Sequence, residues 1–157
     1  MSYQTALICT NGHIVNGNME EWPVDNQAFC SECGANTIDK CKNCGTKIKG
    51  DNNYGIGYEH LQEAHSHCSG CGKAFPWLDE KLKAAKELID EMEQLNTEER
   101  EKLKTSIDDL IINGPRTELA VTRFKKLIPK AGKDLANGMR AIIVEIASET
   151  AKKSLGL

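Results

Sequence analysis

The chain has no long apolar run, no cysteine beyond residue 71, no arginine before residue 100 and no surplus of positive charge. Each absence removes a class of protein. The longest apolar stretches, such as "AIIVEIA", fall far short of the ~20 residues that a membrane-spanning helix needs. The opening "MSYQTALICTNGH" has neither the basic segment nor the apolar core of a secretory leader, so the expectation is a cytoplasmic protein with reduced thiols. Seven cysteines, an odd number, fit a closed disulfide framework poorly. In a reducing compartment clustered thiols are more often metal ligands than redox pairs. Residues 1–76 carry five Lys against eight Asp and Glu, and two divalent ions held by seven thiolates would take that part from −3 to about −6. Phosphate-backbone binding needs a basic footprint, so nucleic-acid binding by this part is disfavoured.

What is present divides the chain in two. Nine of the 13 glycines precede residue 77, in turn-rich text such as "KGDNNYGIGY". After it come long stretches of Leu, Ala, Lys and Glu, the composition of helices. The boundary is placed at "AFPW", giving residues 1–76 as a tandem metal-ribbon region and 77–157 as a helical domain of about four helices. The first region holds few large apolar side chains and should be marginal without a staple. A structural zinc contributes about 10–16 kcal/mol of apparent binding free energy, much of it available for folding.

Four half-sites offer such a staple: Cys9 and His13 in "CTNGH", Cys30 and Cys33, Cys41 and Cys44, and Cys68 and Cys71. Glycine follows the last three pairs as Gly34, Gly45 and Gly72. Ligands two or three residues apart need a tight turn that aims backbone N–H groups at sulfur, and a following glycine takes the φ > 0 conformation of that turn. Eight ligands suit two tetrahedral sites. A thioredoxin-like redox pair calls for one Cys-x-x-Cys in a βαβ context, and an iron–sulfur cluster sits less naturally beside a histidine and glycine knuckles. His13 read alone is an ordinary turn histidine, but without it one site is a ligand short. His60, His65 and His67 meet no such need and read as exposed loop residues.

The half-sites can pair sequentially, cross-braced or nested. Sequential pairing puts Cys9, His13, Cys30 and Cys33 in one site and Cys41, Cys44, Cys68 and Cys71 in the other, with 16 and 23 residues inside them, enough for a hairpin each. The seven residues "GANTIDK" then form a linker between two ribbons. "YQTALIC", "HIVN" and "TKIKG" read as short strands around the knuckles. Four protein ligands per site leave no place for a catalytic water, and no cysteine remains as a nucleophile, so no enzyme is expected.

In the helical part, Leu78, Leu82, Ala85, Ile89 and Met92 follow a 4-3-4-3 spacing within "WLDEKLKAAKELIDEMEQL", a heptad-like seam that suits intramolecular packing or self-association. Asn96 with Glu99 predicts a capping box for a second helix, stopped by "NGP". Thr117 is the expected cap of a third helix bearing Leu119, Ala120, Val121, Phe124, Leu127 and Ile128, and a last helix is expected from about Asp134 to Leu155. Trp77 either fastens the two halves or simply begins the helical core. "TRFKKLIPKAGK" clusters Arg123, Lys125, Lys126, Lys130 and Lys133, which reads as a solvated face or as a patch for nucleic acid or an acidic protein.

Together "ICTNGHIVN", "FCSECGANTIDKCKNCGTKIKG", "CSGCGKAFPW" and "NGPRTELAVTRFKKL" resemble a bacterial family of unknown function that pairs an N-terminal double zinc ribbon with a C-terminal helical region. The resemblance covers nearly the whole chain and implies two zinc ions on the same eight ligands. It implies no activity. The expectation is a small β-rich metal region followed by an all-α bundle, acting as a zinc-binding adaptor with a protein partner.

Overall fold

A computed structural model describes residues 2–157. The backbone divides into two compact units, the first ending at Glu80 and the second running Lys81–Leu157.

The first unit is built on one extended run that serves two sheets. Strand β1 (Ser2–Thr5) and strand β2 (Leu7–Cys9) are separated only by Ala6. The other strands are β3 (Ile14–Asn16), β4 (Thr37–Ile38), β5 (Lys49–Asn53) and β6 (Tyr58–Glu59). One antiparallel sheet has the order β1-β5-β6, the other β3-β2-β4. Ala6 is fully buried, and its N–H donates to the Ile48 carbonyl at 2.9 Å, which holds the run in place between the sheets. Ile8, Ile48, Phe75 and Trp77 complete a small core. The expected strand "TKIKG" is corrected by the register: pairing with β1 begins only at Lys49 and continues to Asn53.

Close approach at Gly50 locks this arrangement. A Cβ there would lie 2.0 Å from the Gly17 carbonyl oxygen and 2.9 Å from the Ala6 nitrogen. Only glycine lets these backbones meet. "GANTIDK" is more than a linker. Its Thr37 and Ile38 form β4, paired to β2 as Cys9↔Thr37 and Ile8↔Ile38. Its flanks close the neighbouring knuckles through Phe29↔Asn36 and Lys40↔Lys47.

Trp77 belongs to this first unit. Its indole stacks on Phe75 at 4.7 Å, donates from Nε1 to the His65 carbonyl at 3.0 Å, and lies against Gly12 of the first knuckle. It therefore ties the two ends of the metal region together.

In the helical half, five α-helices follow in order: α1 (Pro76–Asp90), α2 (Thr97–Leu110), α3 (Thr117–Leu127), α4 (Lys133–Ile146) and α5 (Glu149–Leu155). The capping box starts α2 as expected: the Asn96 side chain accepts from Glu99 N at 2.9 Å, and Glu99 accepts from Asn96 N at 3.2 Å. Helix α1 ends at Asp90, short of the expected run, yet Ala85, Ile89 and Met92 of its seam are fully buried. Leu78 is buried as well, while Leu82, the remaining seam residue, stays half-buried.

Three helix expectations are corrected. Thr117 does not cap α3; it is the first helical residue, and its hydroxyl donates to the Ile112 carbonyl and accepts from Gly114 N, closing the preceding turn. The last helix breaks at Ala147, whose ψ of 149° is extended, because Ser148 caps a separate α5 by accepting from Ala151 N. The Ser148 N–H meanwhile donates to the Leu110 carbonyl at the end of α2, at 2.9 Å. The sequence signal for this break was Ser148 followed by Glu149, an N-cap residue before an acidic first turn. Leu119, expected on the apolar face of α3, is 43% exposed.

Candidate metal centres

Each knuckle is a turn closed by backbone bonds. Gly34 N donates to the Cys30 carbonyl, Gly45 N to Cys41 and Gly72 N to Cys68, all at 2.8–2.9 Å. The three glycines sit at φ of 71–76°, the left-handed region that a side chain would strain. The first knuckle packs against Trp77 at Gly12, and its own bonds are Gly12 N to the Cys9 carbonyl and Cys9 N to the His13 carbonyl.

These turns bring the eight side chains together in two groups of four. Cys9, His13, Cys30 and Cys33 form one group, Cys41, Cys44, Cys68 and Cys71 the other, with all ligand atoms of a group within 4.8 Å of one another. Consecutive half-sites are thus joined. The edges can be tested against a tetrahedron. A metal about 2.3 Å from sulfur and about 2.05 Å from nitrogen sets S···S edges near ~3.8 Å and S···N edges near ~3.6 Å. The observed edges are 3.8 Å for Cys9–Cys33, 3.5 Å for Cys9 Sγ–His13 Nδ1 and 3.6 Å for Cys30 Sγ–His13 Nδ1. In the second group they are 3.8 Å for Cys41–Cys71 and 3.6 Å for Cys44–Cys68. These five edges match those of a tetrahedral ion, and sulfur and imidazole donors suit a soft or borderline metal.

Polar groups already point at the sulfurs. Asn11 Nδ2 donates to Cys33 Sγ and Asn43 Nδ2 to Cys71 Sγ, each at 3.4 Å. The two asparagines occupy the same place, two residues after the first cysteine of their site. Backbone N–H groups of His13 and Gly70 reach Cys9 and Cys68 at 3.3 Å. These donors favour thiolate. The Ala35 N–H and Asn11 bring the Cys33 pKa down to about 6, and the Thr46 hydroxyl and N–H bring Cys44 down to about 6. Burial pushes the Cys9 thiol up. On the far side of the imidazole, His13 Nε2 lies 3.7 Å from an exposed Glu32 carboxylate oxygen, with Nδ1 turned to the sulfurs.

A family model described as "Uncharacterized protein conserved in bacteria (DUF2321)" matches residues 2–155. The chain belongs to this family. No curated protein and no solved structure matches. For this DUF2321 chain, then, function must be read from the site.

The other sequence candidates fall into place differently. Of the five basic residues, Lys130 is paired with Glu99 at 2.6 Å. Arg123, Lys125, Lys126 and Lys133 have no carboxylate partner among the described residues. Lys125 and Lys126 stand in the last turn of α3, where positive charge complements the helix dipole. His60 is more than a loop histidine: its Nδ1 lies 2.9 Å from Oδ2 of Asp51, which is 2% exposed and also accepts from Leu61 N at 2.9 Å. Trp22 sits 5.8 Å from both the His60 and the Tyr58 ring. Asp51 lies nine residues earlier, in β5, a spacing that matches no ligand or capping motif.

Proposed function

We propose that this protein is a non-enzymatic zinc-binding adaptor. Two Zn²⁺ ions, one held by Cys9, His13, Cys30 and Cys33 and one by Cys41, Cys44, Cys68 and Cys71, stabilise a rigid acidic surface that binds a protein partner. The observation that carries this reading is the closure of both donor sets: four protein ligands at tetrahedral spacing leave no position for water or substrate on the ion. Zinc is favoured over other ions by the mixed thiolate and imidazole set of the first site. Among the described residues no helix is long and apolar enough to cross a membrane.

The test is metal analysis joined to capture from cells. A zinc-to-protein ratio near two, with protein partners retained after nuclease treatment and lost in Cys30→Ser and Cys41→Ser variants, supports the adaptor. A ratio near one sinks the eight-ligand scheme. A second reading, a nucleic-acid-linked regulator working through the C-terminal helices, is favoured by the four basic side chains without a carboxylate partner. Failure to bind single-stranded or duplex DNA or RNA at low salt removes it.

A further inference from the structure

The first unit is acidic in composition, yet one cavity in it is lined only by basic, neutral polar and apolar residues. This cavity, of about 170 Å³, is bounded by Tyr3, Lys47, Lys49, His65, His67 and Ser69, with Ile48 and Phe75 as apolar surface and no carboxylate in the lining. Two of the five lysines of residues 1–76 converge on it. Lys47 is shared with Glu20 at 3.0 Å. Lys49 has no carboxylate partner among the described residues; its Nζ lies 4.7 Å above the Tyr3 ring. The wall opposite β5 is fixed by backbone bonds: the His65 carbonyl accepts from Trp77 Nε1 at 3.0 Å, Phe75 N donates to the Ser66 carbonyl at 2.9 Å, and His67 bridges to Ala74.

We infer that this cavity binds the phosphate group of a small phosphate monoester. Its donors suit a tetrahedral dianion with several acceptor oxygens: two ammonium groups, a hydroxyl and two imidazoles, each of which offers an N–H even when neutral. Partial withdrawal from water lowers the His65 pKa, and the Lys49 charge lowers it further. The exposed Tyr3 ring receives the organic part of the ester, over a floor formed by the buried Ile48 and Phe75. The site stands apart from the adaptor reading and adds a small-molecule ligand to it.

The experiment is NMR titration of the full, metal-loaded chain with inorganic phosphate and with phenyl phosphate. Lys49→Gln removes an exposed pocket cation, and Lys42→Gln makes the same charge change on an exposed lysine outside the cavity. Metal content verifies that each variant is folded. The expected result is saturable shifts of the His65, His67 and Ser69 amides, with phenyl phosphate tighter than inorganic phosphate. Lys49→Gln weakens binding by roughly fivefold or more and Lys42→Gln by less than about twofold. Absence of saturation at millimolar ligand, equal weakening by both variants, or phenyl phosphate binding no tighter than inorganic phosphate would each overturn the inference.

Discussion

Replacing Asn43 by alanine should weaken one metal centre and spare the other. The Asn43 side chain donates to Cys71 Sγ at 3.4 Å, an ordinary length for a bond to sulfur, and removal of the donor leaves that thiolate to water. Hydrogen bonds to charged acceptors contribute about 1.5–3 kcal/mol when shielded. Asn43 is exposed, so the lower end applies, about 1.5 kcal/mol, which is roughly tenfold in affinity. The assay is zinc competition with a chromophoric chelator, which resolves release from two sites. Asn43→Ala should lower the affinity of the Cys41, Cys44, Cys68, Cys71 site about tenfold and shift the other by less than about twofold. Asn11→Ala, which removes the matching donor to Cys33, should do the reverse. If both variants weaken both sites equally, or neither weakens any, the asparagines do not act through their sulfurs and the assignment of local roles is wrong.

Further outcomes can be checked on stability. Gly50→Ala forces a Cβ to 2.0 Å from the Gly17 carbonyl and should cost about 3 kcal/mol or prevent folding; an unchanged melting temperature would contradict the close approach. Ile107→Ala, at a fully buried position of α2, should cost about 3 kcal/mol in denaturant unfolding, with the zinc content unaltered. For Glu20, burial raises the pKa, but hydrogen bonds from the Thr5 hydroxyl and N–H and from Lys47 outweigh it and hold the carboxyl at about 2. Its stabilisation is thus fully present above the ordinary carboxylate value of 4.5 and is lost as pH falls from there towards 2. The melting-temperature deficit of Glu20→Gln relative to the parent should shrink over that window; comparing the two at each pH cancels acid loss of metal, and a deficit that persists at pH 2 would refute the sign.

The two clusters of Cys and His side chains were legible because knuckle chemistry is local. A cysteine, a ligand partner three or four residues on and a glycine nearby are all written within six residues, and the structure gathers those same eight side chains. The Asn96–Glu99 cap was legible for the same reason. What escaped depends on contacts between distant segments. Pairing of Thr37 with Cys9 turned an apparent linker into a strand. Asp51 gave His60 a partner that spacing does not announce. The bond from Ser148 N to the Leu110 carbonyl fixes the corner where one expected helix becomes two, although the serine cap itself stood in the sequence.

The strand β4 sets a ruler. Both its flanks are locked into knuckle turns, Asn36 against Phe29 on one side and Lys40 against Lys47 on the other, and its middle is stitched to β2. Seven residues so anchored have no slack to take up. Two paramagnetic ions substituted into the centres should therefore report one sharp separation, and that separation should hold when the rest of the chain is heated towards unfolding, until the metal turns themselves give way.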